Sequence, residues 1–558
     1  MRSKFLKRSL AFIVACSVVA GLVIPTASFA WVSTEDDQSD LTEAQINSSL
    51  ANGEVDLSAV TVDGENAQAD SSYAMSTIAG GDRYETSAAE ALSSFSSAST
   101  VVVASGESYA DSTAGAGLAG ALDAPILLTS PSYLPGSISD AIKTLKASNV
   151  IILGGTSAVS SDVENALRGI VSNIERLWGD TRYDTQLQIV SYGLDHGLWT
   201  GDTAAVVYAE GFADALSFSP VAFSLKTPVF FTDCVGSLRQ EELDALKACG
   251  MKKAFLVGGT TVVSAEAENA LKNVCSVTRL GGAHRYETSY NINLYAVKNL
   301  GFTWDYVAFS SGQAPWDSLG GGSMQGKKKR LLSLLDNGGA KTEPSVYTDG
   351  KPSHVVFLGG RNVYSNAFKA QVAYKEGYKI TDIQGFKVYV DAGHGWNSSN
   401  NNVYDSGATG CGYQEASLTQ ELADKVSTVL KNTYGISTYV NKEGWYKLRQ
   451  AQASELDCGL FLSIHFNAGG GSGSESYIHT VNAAWGSKHL QSSLTGRLAN
   501  AVGLNNRGEE EMQLAVCSGK IPATLVEVCF IDRQSDMSAY QARKDSVARA
   551  LAEGVVAW

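Results

Sequence analysis

The chain has 558 residues, 43 basic against 57 acidic, for a formal net charge of −14, and 44% of it is hydrophobic. That is more chain than one hydrophobic core organises, so several domains are expected. The acidic balance argues against sequence-independent nucleic-acid binding, which needs basic surface, and the apolar content excludes a wholly disordered or collagen-like chain.

The N-terminus opens with Arg2, Lys4, Lys7 and Arg8, followed by an apolar run from Leu10 to Ile24 and the end Ser28-Phe29-Ala30. Basic, apolar and small residues in that order read as a secretory signal peptide, residues 1–30, cut after Ala30. The run of 15 residues is short for a membrane helix, which needs about 20. Acylation at Cys16 is the rival reading. No later stretch is expected to span a membrane, so no membrane contact is expected once the signal is cut. Cleavage would leave 39 basic residues against 57 acidic, a charge of −18, and seven of the eight cysteines. An odd number in a secreted chain leaves at least one free thiol or an intermolecular bond; Cys234 and Cys249, and some of Cys411, Cys458, Cys517 and Cys529, are candidates for pairing. Residues 31–76 carry ten acids and neither Lys nor Arg, the composition of a solvated, flexible acidic linker.

An internal repeat follows. Arg83-Tyr84-Glu85-Thr86 recurs as Arg182-Tyr183-Asp184-Thr185 and Arg285-Tyr286-Glu287-Thr288, at spacings of 99 and 103 residues. A middle marker reads Tyr109-Ala110-Asp111, Phe212-Ala213-Asp214 and Pro315-Trp316-Asp317. A closing marker reads Ile151 to Gly155, Phe255 to Gly259 and Val356 to Gly360. Val101 to Ala104 and Val150 to Leu153 are short β-branched runs suited to buried parallel strands. Ser87 to Glu90 has capping-box spacing at the start of an Ala-rich helix. Strands alternating with helices predict small doubly wound α/β modules with parallel sheets, one module per repeat: 77–173, 174–275 and 276–380.

These markers resemble the type 2 cell-wall-binding repeat of Gram-positive surface proteins. The resemblance implies three modules packed about a pseudo-threefold axis and non-covalent attachment to an anionic secondary cell-wall polymer. The family's Pro-Ile-Leu-Leu stretch stands here as Pro125 to Leu128, is looser as Pro228 to Phe231, and is missing from the third unit, where Gly326 and Lys327 to Arg330 precede Leu331-Leu332. By chemistry, one arginine per unit offers a donor fork to phosphate or carboxylate. The competing expectation is structural: Arg83 and its equivalents pair with Asp111, Asp214 and Asp317 inside each unit. The Lys327–Arg330 cluster either meets the polymer or is a solvated loop.

Residues 385–558 leave the repeat and hold four of the seven histidines: His394, His465, His479 and His489. Lys387 to Val390 is a predicted strand ending in a glycine turn, Asp391 to Gly395. Leu460 to Phe466 is a second, with Phe461, Ser463, His465 and Asn467 on one face. Ala523 to Ile531 is a third, with Glu527 among apolar neighbours, where a carboxylate is costly unless paired, metal-bound or catalytic. Sites in open α/β sheets form at the carboxyl ends of strands, so His394, His465 and Glu527 are expected to converge. Two imidazoles and a carboxylate, with one position left for water, make a catalytic zinc site. Glu415 is the carboxylate candidate, just before a helix through Leu422, Val426 and Leu430.

This segment resembles the zinc-dependent N-acetylmuramoyl-L-alanine amidases of the type 3 group. The matching pieces are Asp391 to Gly395, Gly407-Ala408 with Glu415, Ser463 to Asn467, Asn506-Arg507-Gly508, and Leu525 to Phe530. The resemblance implies that His394, Glu415 and His465 bind one Zn2+ and that Glu527 is the catalytic carboxylate. Trp396 and Thr419 depart from the family pattern without removing a ligand. Asn467 and Arg507 are candidate substrate contacts; His479 and His489, which belong to no motif, are expected at the surface. The expected function is a secreted, wall-attached hydrolase acting on peptidoglycan at the bond between N-acetylmuramic acid and L-alanine. A wall-bound structural or adhesive protein with an inactive amidase fold is the alternative from another class, and a zinc peptidase acting within the stem peptide is a third.

Overall fold

The computed structural model describes residues 72–336, 351–397, 403–443 and 446–558. The signal-peptide reading and most of the linker reading lie outside the described residues. The first described strand, β1 (Met75–Ile78), begins two residues inside the expected linker.

Three four-stranded parallel sheets follow, built on one plan. The first contains β2 (Thr100–Ser105), β3 (Ile126–Thr129), β4 (Asn149–Leu153) and β5 (Asn173–Leu177) in the order β3-β2-β4-β5. The second contains β6 (Thr203–Tyr208), β7 (Val229–Thr232), β8 (Lys253–Val257) and β9 (Ser276–Leu280) in the order β7-β6-β8-β9. The third contains β10 (Tyr306–Ser310), β11 (Leu331–Leu334) and β12 (His354–Leu358), and its fourth strand is β1. Each sheet therefore takes its edge strand from the start of the next sequence repeat, and the third is completed by the start of the first. The exchange closes three modules into a ring.

Each repeat marker has a local reason. The helices Arg83–Ser94, Arg182–Asp195 and Arg285–Leu300 are capped by Asp82, Thr181 and His284. A cap accepts the amide protons that the first helical turn leaves unpaired. The helix thus starts four residues before the Ser87 spacing predicted. The motif threonine then accepts from the turn amide ahead of the helix: Gly80 to Thr86, Gly179 to Thr185 and Gly282 to Thr288, at 3.0–3.1 Å.

The modules meet through helices that approach closely. Ala116–Ala121 and Gly321–Gly326 both pack on Phe212–Leu225. A Cβ on Gly117 or Gly120 would stand 1.8 or 2.0 Å from the carbonyl oxygen of Thr227 or Phe223. Only glycine permits that approach.

The C-terminal domain is a separate mixed sheet. Its strands are β13 (Lys387–Asn397), β14 (Val403–Asp405), β17 (Ser437–Glu443), β18 (Leu460–Asn467), β19 (Ser474–His479), β20 (Asn506–Met512) and β21 (Ala523–Phe530). The order is β14-β13-β18-β21-β19-β20, with β17 also on β13. A small hairpin, β15 (Thr409–Gly410) with β16 (Tyr413–Gln414), leads into the helix Glu415–Tyr434, whose Leu422, Val426 and Leu430 are buried as the spacing predicts. β13, β18 and β21 run parallel, and β19 and β20 run opposite to them. One edge thus gathers the C-terminal ends of β13, β17, β18 and β21 and the N-terminal ends of β19 and β20.

Candidate active site

Register breaks shape that edge. The stretch Asp391 to Gly395 is not the expected turn: β13 continues through it with a register shift between Asp391 and Trp396. His394 sits there in the left-handed region at φ 66°. A bulge re-aims a side chain without ending the strand. Beneath it, Asp391 is fully buried between Arg449 Nη1 at 2.6 Å and Ser463 Oγ at 2.7 Å. Arg449 also donates to the carbonyls of Ala392 and His394. The Thr419 hydroxyl donates to the Gly393 carbonyl at 2.8 Å, so this departure from the family pattern supports the histidine-bearing strand.

Three groups converge above. Glu415 Oε2 lies 3.1 Å from His394 Nε2, and Glu415 Oε1 lies 3.0 Å from His465 Nδ1. Backbone amides of Phe466 and Ala408 donate to the same carboxylate at 3.0 and 2.8 Å. One potential ligand atom from each of His394, Glu415 and His465 falls within 4.8 Å of the others. Gly393 leaves room for this: a Cβ there would stand 2.3 Å from the His465 ring. Asp405, which the sequence reading missed, takes His394 Nδ1 at 2.7 Å. A carboxylate on the second ring nitrogen orients an imidazole for work at the first. Burial disfavours charge on His394, but the hydrogen bonds that its ring donates to the Asp405 and Glu415 carboxylates outweigh it and raise the imidazole to about 10. Burial acts to raise Glu415, yet hydrogen bonds to the two imidazoles hold it well below the usual carboxylate range.

Glu527 stands opposite His465 across the β18–β21 pair, and Glu475 stands opposite Glu527 across β19–β21. Glu527 is buried, and its Oε2 has no hydrogen-bond partner among the described residues. Burial first, then the charges of Glu415 and Glu475, push it well above the usual range. Glu475 is a second residue that the sequence reading missed. Asn467 and Arg507 converge on it, with Asn467 Nδ2 at 2.5 Å and Arg507 Nε at 2.8 Å.

Other expectations are corrected. His479 is buried, not at the surface, and its Nδ1 accepts from the amides of Val481 and Asn482; His489 is exposed as expected and packs on Tyr374. The seven described cysteines are all free thiols, and burial pushes Cys458, Cys517 and Cys529 up.

In the repeat ring, the expected arginine–aspartate pairs inside each unit do not form. Arg83 pairs with Glu107 and Arg182 with Glu210, both at 3.1 Å. The guanidinium of each unit lies over the middle-marker aromatic of the preceding one: Arg83 over Trp316, Arg182 over Tyr109 and Arg285 over Phe212, at 4.8, 5.7 and 5.4 Å. The aspartates feel the same neighbours. Burial raises Asp111, Asp214 and Asp317, and Arg182, Arg285 and Arg83 respectively oppose the rise, with Asp214 reaching about 6. A unit-by-unit reading fails because the helix of each repeat is displaced onto the neighbour by the strand exchange. The basic cluster is dispersed as well. Lys327 pairs with Asp123 of the first unit, Lys329 Nζ reaches the Leu300 carbonyl at 3.2 Å, and Arg330 lies 3.7 Å over Tyr306.

Comparison with known proteins agrees with both halves. Residues 388–557 match the family described as N-acetylmuramoyl-L-alanine amidase. Residues 77–164, 176–268 and 279–369 each match cell wall binding domain 2. N-acetylmuramoyl-L-alanine amidase LytC of Bacillus subtilis (strain 168) is 31% identical over 494 residues, covering 86% of this chain and 94% of that protein. The sporulation-specific N-acetylmuramoyl-L-alanine amidase of the same organism is 35% identical over 174 residues, 30% of this chain and 64% of its own. Among solved structures, Cwp6 from Clostridium difficile shares 24% identity with a TM-score of 0.49, over 87% of this chain and 79% of that one.

Proposed function

The chain belongs to the N-acetylmuramoyl-L-alanine amidases that carry type 2 cell-wall-binding repeats, and from that premise we propose a secreted, wall-anchored enzyme that uses a zinc-activated water. Residues 1–30 direct export and the stretch from 31 up to the first strand at Met75 forms the linker. The modules 77–173, 174–275 and 276–380 hold the domain 385–558 against its peptidoglycan substrate through an anionic wall polymer. Tethering raises the effective substrate concentration. Among the described residues no helix is long and apolar enough to cross a membrane.

The observation that carries the catalytic reading is the unpartnered, buried Oε2 of Glu527 beside the cluster of His394, Glu415 and His465. Two imidazoles and one carboxylate fit the donor set of a catalytic zinc site. A bound Zn2+ would polarise the scissile carbonyl and make water more acidic. Asp405 keeps the His394 ring turned toward the shared position. Glu527 takes a proton from the attacking water and delivers it to the leaving amine of L-alanine. The strand ends under Asp391 and Arg449 keep these groups at fixed separation, as proton transfer needs. Intact His394, Glu415, His465 and Glu527 favour this over a structural or adhesive protein.

The test uses residues 31–558 with peptidoglycan, scoring new alanine N-termini against new reducing ends. Alanine N-termini are expected, abolished by a chelator and restored by Zn2+. Glu527→Gln should lower the rate by about 10²–10⁴-fold with unchanged metal content. New reducing ends instead, or cleavage within the stem peptide, would overturn the reading. For anchoring, the chain should sediment with native walls and not with walls stripped of their secondary polymer.

A further inference from the structure

The site continues past Glu527 along the same sheet edge. From one side to the other, the strands carry Tyr404 (β14), Trp396 and His394 (β13), His465 (β18), Glu527 (β21), Glu475 (β19) and Arg507 (β20). The two ends of this row differ in chemistry. At one, Trp396 and Tyr404 meet edge to face at 5.2 Å and are 52% and 41% exposed. An exposed aromatic face attracts the C–H face of a sugar ring.

At the other end stands an arginine whose aim is set by the backbone. Asn506 pairs with Ser474 and Gly508 with Glu475, so Arg507 is the extra residue of a bulge. Its Nε is taken by Glu475, and its guanidinium lies 5.0 Å over the Phe530 ring. Its two Nη groups have no hydrogen-bond partner among the described residues, and the side chain remains 35% exposed. An arginine fixed by one edge presents the rest of its fork to a carboxylate. Glu475 is therefore its brace.

We propose that the substrate lies across these strand ends in one direction, its sugar over Trp396 and Tyr404 and a carboxylate of its peptide half at Arg507. The inference rests on the amidase reading above and adds direction and charge selectivity to it. Glu527 supplies an independent reason for the direction. It protonates the leaving amine, which belongs to the peptide half, and it stands on the Arg507 side of His394, Glu415 and His465. Adjacent strands are about 4.8 Å apart, so the Arg507 backbone lies about 10 Å beyond that of Glu527 along the edge, and its guanidinium leans back from there over Phe530, on the Glu527 strand. Two extended residues and a side chain span that distance. The second residue of the stem peptide, an acid next to the leaving L-alanine, falls there.

The probe is a pair of muramoyl tripeptides, identical except that the second residue is D-glutamate or its α-amide, D-isoglutamine. The full chain loaded with zinc should prefer the acid by about 10–100-fold in kcat/KM, the range of a charged hydrogen bond. Arg507→Gln should collapse that ratio to near one by raising KM for the acid, with kcat little changed. Arg507→Lys should keep part of it. Trp396→Ala should raise KM for both tripeptides alike and leave the ratio intact. Wild-type enzyme that cleaves both equally overturns the proposal, even if an Arg507 variant does not fold. So does a ratio that survives Arg507→Gln or is lost in Trp396→Ala. Failure of the amidase reading shows separately, as no alanine N-terminus from either tripeptide.

Discussion

The repeat ring and the amidase sheet are both α/β structures with glycine-marked strand ends, the one built of parallel sheets and the other mixed, and they use their motif side chains differently. In the ring, the tyrosines and arginines of the repeated motif find partners within the fold, although Glu90 is buried with neither carboxylate oxygen hydrogen-bonded among the described residues. Tyr84 bonds Glu107, Tyr183 bonds Glu210, and each motif arginine rests over a neighbouring module's aromatic ring. In the amidase sheet, strand ends are held by a buried ion pair while Glu527 is left with an unpartnered oxygen. A repeated motif is thus a poor guide to chemistry when it serves assembly. An unpartnered buried carboxylate is costly wherever it stands, and Glu90 in the ring is one too; what marks Glu527 is that it lies beside the His394, Glu415 and His465 cluster.

The contrast can be broken from either side. The largest expected effect is at the support of the amidase strand ends. Arg449→Ala leaves Asp391 buried with Ser463 alone, and should destabilise that domain by about 3–5 kcal/mol in thermal unfolding, while wall sedimentation persists. A transition shared equally by the ring would show that the two regions unfold as one.

Next is Lys369, buried where the third module meets the amidase domain and donating to Thr77 at 2.8 Å. Burial lowers it from 10.5 to about 8. The folded state therefore holds its proton less tightly than the unfolded chain. The penalty is present in full below pH 8 and is relieved as pH rises from 8 toward 10.5, so this group should add roughly 3 kcal/mol of stability across that window. Chemical denaturation at several pH values should show the rise in the wild type and not in Lys369→Met.

Gly120→Val drives a side chain into the Phe223 carbonyl and should cost about 1–3 kcal/mol, read as lost wall sedimentation with amidase activity on soluble substrate retained. The smallest effect is at a cap. Asp82→Ala should cost about 1 kcal/mol, comparable to Thr181→Ala; unequal losses would show that the three modules do not share the ring's stability evenly.

Much was legible in the sequence because it depends on local order. Three markers in a constant sequence specify three α/β units, and β-branched runs specify their buried strands. His394, Glu415, His465 and Glu527 stand in matching motifs, and the structure brings all four to one edge. Asp405, Arg449 and Glu475 were not legible. Asp405 lies 11 residues from His394 and Arg449 lies 58 residues from Asp391, with no periodicity linking either pair. Glu475 meets Glu527 only through an antiparallel pairing that no residue pattern announces.

Composition and motif order by themselves determined the division into repeats and a hydrolase domain and the residues able to hold a cation. Tertiary structure alone decided which arginine faces which aspartate, because the exchanged strands move each repeat's first helix onto its neighbour. It also decided where Arg507 points, since a bulge arises from the register between two strands and exists only once both are paired.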